Sequence, residues 1–384
     1  AFRGGNTHAN RWNSNRLIVA SDDLPIQSYD ISSSYPSVLL TERFPMEFIE
    51  KDVSKFEQSL RHGKACLFKI HMYDVKLKNE MWGCPYLSKS KCEDIIEGEY
   101  DNGRILSCKY MNCVITEIDF SIIESEYTFK YSIERLFVAN KRMLPKSFRK
   151  LLLDMYINKT QLKDIEEQEY FYMKEKNGFN STYGMMVQNP LKEELILVDG
   201  ELVVDESKSL DQIFEQYQKK GWLPYQWGVY CTCYARLKLE SGLQAIPPES
   251  FIYADTDSIK YIGDYASRFI ELNKKYQHDD LSAFDKHGVQ HFIGIFESET
   301  KIPILKFKTM GAKKYCYEDA NGLHVTISGV NKIKGAKELK KIENFKEGFI
   351  FKNAGGTESI YNDRPPMKTL KIHILVHKMN LLNM

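Results

Sequence analysis

Tyr253-Ala254-Asp255-Thr256-Asp257-Ser258 sets two aspartates one residue apart between the apolar runs Phe251-Ile252-Tyr253 and Ile259-Lys260-Tyr261-Ile262. Strand side chains alternate, so Asp255 and Asp257 are expected to point the same way, with Thr256 opposite, at the turn of a hairpin. Carboxylates that close repel one another, and a divalent cation relieves the repulsion. In isolation the stretch also reads as a solvated Asp/Thr/Ser turn, since D-x-D is a common string. It is not isolated. Tyr29-Asp30-Ile31-Ser32-Ser33-Ser34-Tyr35-Pro36-Ser37 offers another aspartate at the end of another β-prone run. Two strands that bring acids to one place supply the oxygen ligands a pair of Mg²⁺ ions needs.

Between them lies Lys176-Asn177-Gly178-Phe179-Asn180-Ser181-Thr182-Tyr183-Gly184. Lys176, Asn180 and Tyr183 stand at i, i+4 and i+7, one stripe of a helix if the Glu/Lys-rich surroundings are helical. Lys176 then grips phosphates as a point charge, Tyr183 lies flat on a base pair, and Gly184 permits close backbone approach. The competing reading is an ordinary amphipathic helix whose Asn-Ser-Thr run marks a frayed end.

In this order the three stretches resemble the signatures of family B DNA polymerases, D-x-x-S-L-Y-P-S, K-x-x-x-N-S-x-Y-G and Y-x-D-T-D-S. The departure is Ser34, where an aliphatic residue is usual; it should loosen local packing without touching a metal ligand. Thr309-Met310-Gly311-Ala312-Lys313-Lys314-Tyr315 resembles the K-x-Y element that holds the primer strand, with Lys313 and Tyr315 matching and Lys314 between them. Phe2-Arg3-Gly4-Gly5 resembles the Y-R-G-G loop of the protein-primed branch found in tailed phages, adenoviruses and linear plasmids. There the loop lies near the template strand and the exonuclease; Phe2 replaces its Tyr and loses the hydroxyl. The resemblance runs from Phe2 to about Lys352.

The resemblance implies a DNA-dependent DNA polymerase. Its catalytic and metal-binding residues are Asp30, Asp255 and Asp257, with Asp30 and Asp257 as principal ligands of two Mg²⁺ ions, which Mn²⁺ can replace. Two such ions lower the pKa of an attacking 3′-hydroxyl and neutralise a departing pyrophosphate. Tyr35 packs under the incoming sugar and excludes a 2′-hydroxyl, Lys176 holds the triphosphate, and Asn180 and Tyr183 contact the nascent pair. Lys159 and Lys163 fit a second phosphate contact equally well. Arg3, Gly4, Gly5, Lys313, Lys314 and Tyr315 contact DNA. The implied partners are template-primer DNA, dNTPs, and a terminal protein whose hydroxyl primes synthesis.

The implied fold is α+β, a right hand of palm, fingers and thumb with an antiparallel-sheet palm and two inserted subdomains. The expected division is palm at 1–41 and 227–330, a first insertion of terminal-protein-contacting type at 42–144, fingers at 145–188, a second insertion at 189–226, and thumb and tail at 331–384. In the second insertion Leu195-Ile196-Leu197-Val198-Asp199-Gly200-Glu201-Leu202-Val203-Val204 places β-branched runs around Asp-Gly, a hairpin pattern. It resembles the hairpin that in this branch closes a ring around DNA and gives processivity and strand displacement. A plain surface hairpin is the alternative.

Family B enzymes usually carry a proofreading exonuclease before the first signature, with acids of its own. The stretch before Asp30 is too short for one, so this polypeptide is expected not to proofread by itself, with a split gene and a separate exonuclease subunit, or a fragment, as the explanations. Asp164-Ile165-Glu166 and Tyr276-Gln277-His278-Asp279-Asp280 mimic exonuclease motifs in the wrong order. A catalytically inactive, polymerase-derived DNA-binding scaffold is the alternative function, but such a protein has no chemical reason to keep acids that repel one another.

Composition agrees without identifying. The 384 residues are 43% hydrophobic and 12% aromatic, enough for a sizeable core and more than one domain. No apolar run approaches the roughly 18 residues of a membrane span, and no secretory leader pattern opens the sequence, so a soluble cytoplasmic location is expected, host cytoplasm if viral. Net charge is only +1, yet residues 301–352 hold twelve Lys against five acids, a basic face suited to tracking phosphates without reading bases. The eight cysteines form no C-x-x-C pair, so reduced thiols are expected rather than zinc.

Overall fold

The computed structural model describes residues 2–187, 195–198, 201–204, 209, 211, 212, 215, 224–352, 370 and 371. The two aspartate runs meet in one sheet of five antiparallel strands, in the order Thr7–Ala9, Phe251–Asp255, Ser258–Ile262, Ile26–Ile31 and Phe296–Ser298. Alternation sorts its faces. Tyr29, Ile31, Ile259, Tyr261 and Phe296 pack in one core with Leu239 and Leu243 of the helix Tyr225–Leu243 and Phe269 of the helix Ala266–Tyr276. The Tyr29 and Phe269 rings stack at 4.2 Å. Gly242 lets the long helix ride this close, because a Cβ there would lie 2.7 Å from both Ile259 and Phe296. The residues of opposite parity, Ser28, Asp30, Ser258 and Lys260, share the other face through the pairs Ser258–Asp30 and Lys260–Ser28.

Residues 42–144 contain a second antiparallel sheet. Its strands run Ile49–Lys51, Tyr127–Ala139, Ala65–Leu77, Arg104–Thr116 and Glu93–Ile96, with Glu99–Asp101 also on Arg104–Thr116. Cys66, Phe68, Ile70 and Met72 alternate inward, toward Phe120, Ile122 and Ile123 of the helix Glu117–Glu126. That helix starts in a capping box, Thr116 and Asp119 each satisfying the other's backbone N–H. Residues 145–188 hold two packed helices, Lys146–Leu162 and Glu169–Met186. The strands Leu195–Val198 and Glu201–Val204 pair as the expected hairpin, while Asp199 and Gly200 lie outside the described residues. A four-stranded sheet, Leu17–Val19, Lys306–Thr309, Lys314–Asp319 and Gly322–Ile327, precedes the helix Lys332–Leu339. There Lys332, Lys334 and Lys337 are exposed. Of the tail, only Leu370–Lys371 is described, paired with Ile350–Phe351.

Arg236 joins three of these parts. Buried on the Tyr225–Leu243 helix, it pairs with Asp119 at 2.7 Å, donates to the Tyr86 hydroxyl at 2.7 Å, and donates to the Arg3 and Gly4 carbonyls at 2.6 and 2.9 Å. Burial would raise the Asp119 carboxyl, yet Arg236 and Arg3 hold it well below the usual carboxylate range. Asp119→Ala leaves Arg236 buried without its counter-charge and should cost about 3–5 kcal/mol. The check is a urea midpoint at neutral pH, where a loss under about 1 kcal/mol would contradict this role.

Candidate active site

Asp30 sits in Ile26–Ile31, opposite Ser258 on one neighbour and Glu297 on the other. Asp255 ends its strand opposite Ser258 and Thr7. Asp257, however, is not the alternate residue of that strand; Thr256 and Asp257 form the turn itself. Thr256 has φ +62°, rare for a β-branched residue, and its N–H donates to the Asn6 carbonyl at 2.7 Å. The Asp257 carbonyl accepts from the Ile31 N–H at 2.8 Å. Asp257 is thus tied to the strand of Asp30 by a backbone bond rather than aligned with Asp255 by alternation.

Charge crowds here. Burial first, then Asp257 and Glu299, pushes the Asp30 carboxyl up to about 8. Burial, then Asp255 and Glu299, pushes Asp257 up to about 6. Asp255 is compensated: the Lys313 ammonium pairs with its Oδ1, to which the Thr7 hydroxyl also donates at 2.9 Å. Among the described residues no three acidic, His or Cys side chains are gathered as a ready metal cluster. The three aspartates lie along the edge formed by the ends of the sheet's central strands, with Lys313 paired to Asp255.

Of the other predicted residues, Lys313 and Gly5 contact this edge, and Tyr35 lies within reach of the Asp257 charge. Ser33, at φ +51°, precedes the helix Ser34–Thr41, and Tyr35 in its first turn stacks on Tyr183 with centroids 4.1 Å apart. Lys176, Asn180 and Tyr183 do lie on one helix, Glu169–Met186, without fraying before Met186. Lys176 lies over the Tyr172 ring at 5.5 Å, and Asn180 is exposed. Geometry separates the two remaining lysines. Lys159 donates to the Ser33 hydroxyl at 3.0 Å and is pushed down to about 8 by burial and by Lys163 and Lys176, whereas Lys163 is exposed. The Lys313 N–H donates to the Tyr253 hydroxyl at 2.9 Å; Tyr315 packs on Tyr253 and Phe307, and Lys314 is half-buried at the start of its strand. Arg3 is buried, and Gly5 is in contact with the turn: a Cβ there would lie 2.6 Å from Thr256.

Sequence reasoning missed Thr7, Lys260, Glu297 and Glu299. The Lys260 ammonium donates to the Ser28 hydroxyl at 2.7 Å and pairs with Glu299 at 3.4 Å. Nothing in the string 297–299 signals this, because strand register alone brings Glu297 opposite Asp30.

Compared with solved structures, the chain shares its fold with phi29 DNA polymerase. The likeness holds for the complex with primer-template DNA (TM-score 0.64, 17% identity, 91% of this chain and 57% of that one). It holds for an orthorhombic crystal form (0.64, 18%, 92% and 58%) and for the ternary complex with primer-template DNA and incoming nucleotide substrates (0.64, 18%, 91% and 57%). The chain therefore spans under two thirds of the length of those proteins. No protein-family profile matches it, and no curated protein matches it in sequence. No described helix is long and apolar enough to cross a membrane.

The raised Asp30 carboxyl has a sign that can be measured. Its folded value of about 8 exceeds the unfolded value of about 4, so its contribution to stability is complete below pH ~4 and is lost as pH rises through about 8. In EDTA, Asp30→Asn should melt higher than the parent chain at pH 8.5, with the difference shrinking toward pH 5. Equal differences at both pH values would contradict the crowding.

Proposed function

We propose that the chain is a template-directed DNA polymerase of family B, protein-primed branch, whose palm is the five-stranded sheet. The helices at 146–186 act as fingers, and the segment from Lys332 serves as thumb. The observation that carries this reading is the juxtaposition on one sheet edge of Asp30, Asp255 and Asp257 with the Tyr35–Tyr183 stack and Lys159. The shared fold supports it.

Asp30, Asp255 and Asp257 would hold two Mg²⁺ ions, or Mn²⁺ in their place. An all-oxygen donor set suits hard cations, and the crowding that raises Asp30 and Asp257 is what cations relieve. When bound, such ions lower the pKa of the primer 3′-hydroxyl and neutralise the leaving pyrophosphate. The chain's own residues do the positioning. Tyr35 lies under the sugar, where a 2′-oxygen would meet its ring. Lys176 and Lys159 receive the triphosphate, whose negative charge offsets the burial that lowers Lys159. Asn180 and Tyr183 meet the nascent pair. Lys313, paired with Asp255 in the free chain, would contact the primer strand, with Lys314 and Tyr315 beside it. Arg3, Gly4 and Gly5 shape the template side. Exposed lysines of Lys332–Leu339 track duplex phosphates. The Leu195–Val204 hairpin separates strands ahead of synthesis. The first insertion seats a terminal protein, whose hydroxyl replaces the 3′-hydroxyl at initiation.

Primer extension with Mg²⁺ and labelled dNTPs tests the reading. Asp257→Asn should abolish extension while primer-template binding stays within about tenfold. Appreciable extension by that variant would remove the assignment. Tyr35→Val should admit ribonucleotides, read as a fall in dNTP-over-NTP selectivity; unchanged selectivity would refute the role given to the ring.

A further inference from the structure

Beside the Arg3-Gly4-Gly5 loop lies a cavity of about 180 Å³. It is lined by the loop and by Arg104, Arg236, Lys91, Ser88 and Ser90, and none of its ten lining residues is acidic. The cations differ in how they are satisfied. Arg236 is paired with Asp119. Arg104 has only neutral acceptors: the Tyr86 and Thr7 carbonyls at 3.0 and 3.2 Å, and the Asn6 side chain. Arg3 is 6% exposed beside Cys113, Asp119 and Cys92, whose thiol its side chain meets, but its Nη2 has no hydrogen-bond partner. Asp119, the carboxylate whose charge acts on Arg3, already accepts from Arg236, Tyr86 and Thr116. A buried guanidinium nitrogen without an acceptor is costly and calls for a ligand that supplies one. At the rim, Lys91 is exposed and the Ser88 and Ser90 hydroxyls share a hydrogen bond at 3.0 Å.

We propose that this cavity binds a phosphate group, held by the Arg3 and Arg104 guanidiniums with Lys91 and the two serine hydroxyls at its mouth. Planar guanidinium forks match the spacing of phosphate oxygens, and the volume accommodates a tetrahedral oxyanion with several waters. The phosphate comes either from free phosphate or pyrophosphate or from the backbone of a DNA strand. Its effect reaches the aspartates through two contacts. The Asn6 carbonyl holds the Thr256 N–H at 2.7 Å, and Gly5 abuts the Thr256 side chain. A phosphate that braces residues 3–6 therefore braces the turn that carries Asp257.

The inference does not rest on the polymerase reading and is tested without nucleotide or divalent metal. The whole chain in EDTA is titrated calorimetrically with inorganic phosphate, pyrophosphate and a short single-stranded oligodeoxynucleotide. Lys91→Glu, at an exposed position, should weaken binding at least about tenfold, and Arg104→Lys should weaken it too. Amide hydrogen exchange at residues 3–6 and 254–258 should slow on binding. Loss of phosphate or pyrophosphate binding in the variants supports a free-anion site; oligonucleotide binding alone, lost in the same variants with the same exchange protection, supports a strand phosphate. No binding by any of the three, affinities unmoved by both variants, or protection absent from residues 3–6 overturns the proposal. A chain that extends no primer yet binds phosphate here would refute the polymerase reading and leave this site standing.

Discussion

The buried Arg236–Asp119 pair is the constraint on which the position of the carboxylates depends. Both side chains are almost fully withdrawn from water, at 4% and 0% exposure. Two such ions are tolerable only if every donor is met, and here Arg236 meets Asp119, Tyr86 and two loop carbonyls at once. The loop at 3–5 therefore cannot shift without unpairing a desolvated guanidinium. The same loop sets Gly5 and Asn6 against Thr256, and Thr256 is the left-handed residue that swings Asp257 toward Asp30. Strain at the turn is thus held by a junction that belongs to the helix and the second sheet.

Much of the local structure was legible because its causes are local. The apolar runs around Asp30 and on either side of Asp255 and Asp257 became strands of one sheet, Lys176 and Tyr183 fell on one helix, and Leu195–Val198 pairs with Glu201–Val204. The error at Asp257 was one of degree: alternation was extended one residue too far, into a two-residue turn. What stayed hidden is non-local. Glu297 reaches Asp30 through register, Lys313 reaches Asp255 across 58 positions, and Lys159 is distinguished from Lys163 only by facing Ser33. No spacing rule carries that information, since each depends on where two elements are docked. Arg236 and Asp119 drew no notice for the same reason.

Charge at the sheet edge follows one logic. Each acid is either answered by a lysine or pushed upward by its surroundings. Asp255 has Lys313, Glu299 has Lys260, and those two acids are satisfied where they stand. Asp30 and Asp257 have no such ion pair and are driven upward, Asp30 by burial and then Asp257 and Glu299, Asp257 by burial and then Asp255 and Glu299. Lys159 is driven downward by burial first and then by the neighbouring cations Lys163 and Lys176. An excess of negative charge on the sheet thus faces an excess of positive charge on the helices, each held at a cost in the folded chain. A ligand that brings cations to the first and phosphates to the second removes both costs together, so it should bind as a unit more tightly than either half alone. The same argument explains why Lys313 is exposed enough to leave: it neutralises Asp255 without being locked in place, and any cation arriving at the carboxylates competes with it directly.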